Sequence, residues 1–159
     1  MRILGIDPGT GIVGFGVIDT EGQKKTLVDA GVIRTRPHQP LDERLEEIYD
    51  EVTAIIQDNT PDVMVIEKLF FAQNVTTAIS VSHARGVMML AGKKADLPII
   101  ELTPLEIKQS LTGYGKATKN QVQQMVQTML QLAELPKPDD CADALAAALC
   151  YEPALGLNK

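Results

Sequence analysis

Residues 1–19, MRILGIDPGTGIVGFGVID, consist of two apolar segments joined by a short turn that contains glycine. The first segment ends at Asp7 and the second covers residues 12–19, and both are rich in the residue types that favour strands. A tight turn between two such segments is typical of neighbouring antiparallel strands. The stretch therefore predicts a hairpin that begins a sheet, with the carboxylate of Asp7 at the end of its first strand.

Gly9, Gly11 and Gly14 also fit the G-x-G-x-x-G pattern of dinucleotide-binding loops. In those loops the third glycine opens a helix whose N-terminus holds the pyrophosphate, whereas strand-like residues surround Gly14 here. We therefore interpret these glycines as residues of a tight turn, where a positive φ or a close backbone approach is needed. The D-x-G-T loop of actin-like ATP-binding folds is a second alternative, but this sequence shows no second glycine-rich loop to complete it.

The chain has 159 residues, and we expect residues 1–159 to form a single domain of common size. Its formal net charge of −6 argues mildly against a nucleic-acid partner, because such binding depends on Lys and Arg. Most of the acidic excess lies in residues 41–58, LDERLEEIYDEVTAIIQD, which is typical of the solvated face of a helix. The overall charge therefore does not exclude a basic surface elsewhere in the chain.

No apolar stretch is long enough to span a membrane, and the start of the chain lacks the features of a secretory signal. We therefore expect a cytoplasmic protein without a membrane partner. Cys141 and Cys150 are nine residues apart on one predicted helix, which places them on opposite faces. They are interpreted as core thiols in a reducing compartment.

The remaining chain alternates between strand and helix patterns. A third strand is predicted for residues 26–34, an amphipathic helix for 41–59 and a buried strand ending at Glu67. A helix at residues 74–95, a strand containing LPIIEL and three final helices complete the order β-β-β-α-β-α-β-α-α-α. This order predicts an α/β fold in which helices cover both faces of a mixed five-stranded sheet.

Carboxylates lie at the ends of two predicted strands and at the start of one predicted helix. Glu67, like Asp7, ends an apolar strand, where an unpaired buried carboxylate would be costly. Asp140 and Asp143 lie three residues apart at the start of an Ala- and Leu-rich helix and share one face. Helix capping by Asp139 or Asp140 is the alternative interpretation of the helical acids.

Together, these carboxylates match the requirements of a two-metal site for phosphodiester hydrolysis. Mg²⁺ prefers oxygen ligands and retains several waters, so a few carboxylates and a substrate phosphate suffice to hold it. Two such ions can activate a water and stabilise the leaving oxygen without a nucleophilic side chain. His38 and His83 are interpreted as surface or packing residues.

Several motifs, in order along nearly the whole chain, resemble the RuvC family of crossover-junction endonucleases. They are GIDPGT at Asp7, VIEKLFFAQN at Glu67, ARGV at residues 84–87, IKQSLTGYGKATKNQVQQMV at residues 107–126 and DDCADALAAAL at residues 139–149. The resemblance implies an RNase H-like fold and a homodimer. It further implies Mg²⁺-dependent, paired and symmetric nicking of four-way (Holliday) DNA junctions in recombination and repair, and functional contact with the RuvA and RuvB branch-migration complex.

Carried over to this chain, the resemblance implies that Asp7, Glu67, Asp140 and Asp143 are catalytic and hold two Mg²⁺ ions, for which Mn²⁺ can substitute. It also implies junction contacts by Phe70, Lys108 and Lys119. Lys68, which replaces the usual glutamine of the family, is a further candidate for DNA binding.

Residues near these acids independently suggest contacts with DNA. Thr118 and Gln121 form a capping-box pattern, so Lys119 is expected in the first turn of a helix, where a cation opposes the dipole unless an anion is near. A phosphate would be such an anion, and Lys116 in the preceding loop could join it. Phe70, in a loop beside Glu67, is either part of the core or stacks on unpaired bases.

The predicted helix at residues 74–92 is apolar or small on nearly all sides, with Arg85 as its only formal charge. This composition predicts burial on more than one side, and a subunit interface is a plausible second cover. Three alternatives to a junction resolvase remain open from the residues. They are an RNase H-like nuclease that acts on other substrates, a junction-binding module without catalysis and an actin-like ATP binder.

Overall fold

A computed structural model describes residues 1–69, 75–134 and 136–151 of the chain. Its five strands and five helices follow the predicted order. The elements are β1 (Arg2–Asp7), β2 (Ile12–Glu21), β3 (Lys24–Arg34), α1 (Leu41–Asn59), β4 (Val63–Glu67), α2 (Val75–Lys94), β5 (Ile99–Leu102), α3 (Pro104–Thr112), α4 (Lys119–Met129) and α5 (Asp139–Leu149).

The five strands form one mixed sheet in the order β3-β2-β1-β4-β5. The strands β1, β2 and β3 are antiparallel neighbours, whereas β4 pairs in parallel with both β1 and β5. Parallel pairing places the carboxyl ends of β1, β4 and β5 at the same edge of the sheet. The two strands that end in acids, β1 and β4, are adjacent in the centre.

Side chains alternate between the two faces of the sheet, and each face packs on a separate apolar core. On one face, Ile3 of β1 and Val63 and Val65 of β4 pack against α3, α4 and α5. On the other face, Leu4 and Ile6 of β1, with Met64 and Ile66 of β4, pack against α1 and α2. Helices thus cover both faces of the sheet, which confirms the architecture expected from the sequence.

Glycines on β1 and β2 allow α5 to lie directly on the sheet. A Cβ atom at Gly5 would stand 2.0 Å from the carbonyl oxygen of Ala144, and one at Gly14 would stand 2.0 Å from that of Asp140. No side chain fits at such separations, because heavy atoms in contact stay well over 3 Å apart. We call the glycine positions 5, 14 and 16, all of which face α5, the glycine trough.

At the amino end of β1, charged groups are paired. Arg2 donates from Nε and Nη2 to the two carboxylate oxygens of Asp19, at 2.9 and 2.8 Å, and from Nη1 to the carbonyl of Asn59 at 2.8 Å. Hydrogen bonding to Arg2 holds the pKa of Asp19 below its ordinary value. Opposite charges therefore pair with each other at this end of the sheet.

Within the described residues, none of the helices combines the length and apolar composition needed to cross a membrane. Cys141 and Cys150 are both buried and form no disulfide. His38 and His83 are exposed, as the sequence suggested.

Candidate active site

Asp7 and Glu67 are brought together by strand register and by the alternation of side chains. In the parallel pairing of β1 with β4, Ile6 lies opposite Ile66, and one further step brings Asp7 beside Glu67. Adjacent strands are ~4.8 Å apart. Asp7 points to the same face as Ile3, and Glu67 to the same face as Val63, so both carboxylates face α5.

The helix α5 supplies the other two acids of the site. Its first turn is held against Gly14, the residue directly opposite Asp7 in the antiparallel pair of β1 and β2. The start of α5, which carries Asp140 and Asp143, therefore lies next to Asp7. The N-cap of α5 is Pro138, without a side-chain cap, so neither Asp139 nor Asp140 caps the helix as the alternative interpretation required.

Burial and mutual repulsion raise the pKa of Asp7, Glu67 and Asp143. Burial, followed by the charges of Glu67, Asp143 and Asp140, raises the pKa of Asp7 from 3.8 to about 8. Burial and the charge of Asp143 raise the pKa of Glu67 from 4.5 to about 7. The pKa of Asp143 is also raised, because its burial outweighs the opposite effect of Lys119. The four acids thus form one electrostatic cluster that favours a proton or a cation.

The ammonium group of Lys119 lies at the edge of this cluster. Its Nζ is 3.0 Å from Oδ2 of Asp143 and 3.3 Å from Oδ2 of Asp139. Thr118 caps α4 in a reciprocal box with Gln121, as the sequence predicted, and so places Lys119 in the first turn. The expected anion beside this lysine is provided in the structure by two carboxylates of α5.

A cleft of roughly 210 Å³ opens beside the acids. Glu67, Asp143, Lys108 and Lys119 form its polar part, and the apolar lining residues are Pro104, Ile107, Val122 and Ala146. The positive charges of Lys108 and Lys119 partly offset the effect of burial on the pKa of Glu67. Carboxylates and ammonium groups therefore share one accessible cleft between the sheet and α3, α4 and α5.

The other residues predicted to bind DNA are placed differently. Lys68 directly follows Glu67 and is exposed, and its main-chain N–H donates to the carbonyl of Leu102 at 2.7 Å. Lys116 is exposed in the turn between α3 and α4 but does not line the cleft. Phe70, which the sequence analysis placed at the junction, lies outside the described residues.

Two further residues lie at the site and were not among the functional residues predicted from the sequence. Asp139 shares Lys119 with Asp143 and accepts a hydrogen bond from Nε2 of Gln123 at 3.1 Å. Arg85 donates from Nε to the carbonyl oxygen of Glu67 at 3.0 Å. The sequence feature that could have indicated a role for Arg85 is that residues 75–92 contain no other Asp, Glu, Lys or Arg.

The chemistry of the acidic cluster fits a hard divalent cation. Across residues 1–69, 75–134 and 136–151, no three His, Cys, Asp or Glu side chains stand close enough to form a ready-made metal site. The donors are nevertheless carboxylate oxygens, which Mg²⁺ prefers, and repulsion among them would be relieved by positive charge. Lys119 already supplies part of that charge, so a bound cation would share Asp143 with it or displace it.

The chain matches a model of one known protein family over nearly its whole length. Residues 3–151 match the family described as crossover junction endodeoxyribonuclease RuvC. A protein named crossover junction endodeoxyribonuclease RuvC, from Desulforamulus reducens, is 52% identical over 151 residues, which cover 95% of this chain and 93% of that protein.

Solved structures give the same result. The RuvC structure from Thermus thermophilus superposes with a TM-score of 0.89 at 36% identity and covers 95% of this chain and 93% of that one. The T. thermophilus RuvC in complex with a Holliday junction substrate superposes with a TM-score of 0.90 at 35% identity and covers 95% of this chain and 92% of that one. The expectation of an RNase H-like fold is confirmed by these matches.

Proposed function

The chain belongs to the crossover junction endodeoxyribonuclease RuvC family, and we propose that it resolves four-way (Holliday) DNA junctions by Mg²⁺-dependent, paired and symmetric nicking. The observation that carries this proposal is the convergence of Asp7, Glu67, Asp140 and Asp143 at one edge of the sheet, beside a cleft that also contains Lys108 and Lys119.

The four carboxylates are the residues that would hold two Mg²⁺ ions, with Mn²⁺ able to substitute. When bound, the ions supply the charge that activates water and stabilises the leaving oxygen in phosphodiester hydrolysis. Asp7 and Glu67, fixed on adjacent strands, hold their oxygens in place on the sheet. Asp140 and Asp143 lie on α5 and would complete the set of oxygen donors.

Lysine side chains around the acids provide contacts to the DNA backbone. Lys108 and Lys119 line the cleft with Glu67, which supports a role for them in orienting the phosphate that is cut. Lys68 and Lys116 are exposed and would contact phosphates farther from the cleft. Phe70, by its position three residues after Glu67, would stack on bases at the junction.

A homodimer through α2 would place two sites on one junction. Ile79, His83, Gly86 and Leu90 are exposed and follow each other at steps of four, three and four, so they share one face of α2. Ile79 and Leu90 are each 53% exposed, although both are large and apolar. A two-fold partner that covers this stripe would explain the composition of the helix and the symmetry of the cuts.

We place the protein in the cytoplasm, where it would act together with the RuvA and RuvB branch-migration complex on chromosomal junctions. This part of the proposal follows from family membership. Binding of labelled protein to a junction preloaded with RuvA and RuvB, compared with the junction alone, tests it directly.

The main experiment compares labelled substrates under matched conditions. A four-way junction, a linear duplex of the same sequence and an RNA–DNA hybrid are incubated with the protein, with Mg²⁺ or with EDTA. We expect nicks only in the junction and only with Mg²⁺, placed symmetrically on two strands of like polarity.

Other outcomes would contradict the proposal in distinct ways. Equal cutting of the hybrid or the duplex would identify an RNase H-like nuclease of different specificity. Tight junction binding without any nick in Mg²⁺ or Mn²⁺ would identify a binding module. A monomer in light scattering at the concentration used for cutting would remove the explanation given for symmetric nicks.

A further inference from the structure

We infer that Arg85 is a positioning residue that fixes the Glu67 end of β4 for cation binding, an inference that rests on the proposed function. Arg85 lies on α2, 18 positions after Glu67 in the chain, and its guanidinium returns to the end of the strand. Arg85 donates a hydrogen bond to the main-chain carbonyl of Glu67, so we infer that it acts through the backbone of that residue.

Arg85 joins three elements at the edge of the site. Its Nε donates to the carbonyl oxygen of Glu67 at 3.0 Å, and its Nη2 pairs with Oε2 of Glu101 on β5. The next residue after Glu67, Lys68, donates its main-chain N–H to Leu102 of β5 at 2.7 Å. The end of β4 is thus held from α2 by Arg85 and from β5 by the strand pairing.

The burial of Arg85 is unusual for its helix. Its side chain is only 16% exposed, although residues 75–92 contain no other Asp, Glu, Lys or Arg. Burying a guanidinium is costly unless it is paired and hydrogen-bonded, and Arg85 meets both requirements through Glu67 of β4 and Glu101 of β5. The position of the guanidinium is therefore tied to the position of the Glu67 backbone.

Groups that support metal ligands without touching the metal orient the ligands and set the affinity of the site. The backbone of Glu67 determines where its carboxylate oxygens lie relative to Asp7 on the neighbouring strand. Loss of the Arg85 bond would leave the end of β4 less firmly fixed. We therefore expect weaker cation binding while the junction-binding surface remains.

Arg2 provides a matched control for the substitution of Arg85. It makes the same two kinds of contact at the opposite end of the sheet, an ion pair with Asp19 and a hydrogen bond from Nη1 to the carbonyl of Asn59 at 2.8 Å. Arg2→Gln therefore removes a comparable set of interactions far from the acids. A role of Arg85 in stability alone would make the two substitutions equivalent.

The experiment measures Mn²⁺ binding by electron paramagnetic resonance in the absence of DNA, for the wild type, Arg85→Gln, Arg85→Lys and Arg2→Gln. We expect Arg85→Gln to weaken Mn²⁺ binding by about tenfold or more, the effect typical of groups that support metal ligands. Arg85→Lys, which keeps the charge and can donate to one acceptor, should recover part of the affinity. Arg2→Gln should bind Mn²⁺ like the wild type.

Two further measurements separate positioning from folding and from the proposed function. Junction affinity in EDTA should be the same for Arg85→Gln and the wild type, and excess Mn²⁺ should restore nicking by the variant. Glu101→Gln, which leaves the bond from Arg85 to Glu67 in place, should give a smaller loss of Mn²⁺ affinity and serves if Arg85→Gln does not fold.

The inference is overturned if Arg85→Gln and Arg2→Gln bind Mn²⁺ equally well. If Arg85→Gln does not fold, the inference is overturned when Glu101→Gln binds Mn²⁺ as tightly as the wild type does. Failure of the proposed function gives a different result, in which the wild-type protein itself does not nick the junction.

Discussion

Charged groups are paired at one end of β1, whereas groups of like charge are clustered at the other end. At the amino end, Arg2 pairs with Asp19 and also binds the carbonyl of Asn59, so positive and negative groups satisfy each other. At the carboxyl end, Asp7 faces Glu67 and the acids of α5, and its burial together with their repulsion raises its pKa to about 8. One end of a single strand contributes to holding the fold, whereas the other end retains unfavourable charge that a bound cation would relieve.

The largest expected effect is the difference in nicking rate between a carboxylate substitution at the carboxyl end of β1 and one at the amino end. Asp7→Asn should reduce the rate of junction nicking by more than about a hundredfold, the upper range for groups that only support metal ligands, because we propose that Asp7 binds the cation directly. Single-turnover nicking in Mg²⁺ measures this rate, and a gel-shift assay in EDTA should show junction binding retained.

Asp19→Asn is the matched control, since it removes the same charge from the other end of the β1–β2 pair. It should leave the nicking rate close to that of the wild type. Retained nicking by Asp7→Asn would remove Asp7 from the catalytic set, and equal losses in both variants would show that the effect is not specific to the site.

A second test of the comparison concerns the glycine trough, through which the acids of α5 reach Asp7. Gly14→Ala would place a methyl group 2.0 Å from the carbonyl oxygen of Asp140, so α5 must move. We expect a loss of about 1–3 kcal/mol or more in the free energy of unfolding, as for other overpacked sites, together with reduced nicking. Urea denaturation measures the first quantity.

Gly11→Ala provides the control for this substitution. The nearest atom to a Cβ at Gly11 is Nη2 of Arg44 at 3.4 Å, at the end of a long side chain that can move. Its effect on unfolding should be clearly smaller. If Gly14→Ala were as stable and as active as Gly11→Ala, direct backbone contact would not be what positions α5.

The smallest expected effect is on the pH dependence of stability in EDTA. The carboxyl of Asp7 has an ordinary pKa of 3.8, which the fold raises to about 8, and that of Glu67 rises from 4.5 to about 7. Between these values the folded chain binds more protons than the unfolded chain, so its stability from these groups falls as the pH rises from about 4 to about 8.

Asp7→Asn should therefore stabilise the protein at pH 8 in EDTA by about 0.5–2 kcal/mol, in the range found when strained functional groups are removed. The gain should shrink towards pH 4 and also on addition of Mg²⁺ at pH 8. Thermal unfolding at both pH values checks this, and a gain that is independent of pH would contradict the assigned electrostatic cause.

The order of elements and the adjacency of Asp7 and Glu67 could be predicted because each depends on short patterns. Apolar segments ending at Asp7 and Glu67 indicated strand ends, and the parallel pairing of β1 with β4 then places those ends side by side. The capping box at Thr118 likewise follows from local sequence and occurs as predicted.

Other features depend on contacts between residues that are far apart in the chain, so the sequence predicted them only in part. Gly9, Gly11 and Gly14 were expected to need either a positive φ or close backbone approach, but the glycines with positive φ in the described chain are Gly22 and Gly113. Only the approach of α5 explains Gly14, and the position of that helix is set by tertiary packing.

The role of Lys119 shows the same limit. The sequence indicated that an anion near this lysine would offset the helix dipole and named a phosphate as one that would fit. In the structure Asp143 and Asp139 lie beside it. Nothing in the local pattern around residue 119 specifies which side chains of α5 lie within reach, 20 or more residues later in the chain.

The absence of side chains in the glycine trough has a consequence for how the protein can change over time. The spacing between the acids of the sheet and those of α5 is set by one backbone resting on another, and so depends little on the sizes of the apolar residues elsewhere in the core. Mutations such as those that exchange one aliphatic core residue for another could therefore accumulate and alter thermal tolerance, while the distances on which cutting depends are inherited almost unchanged.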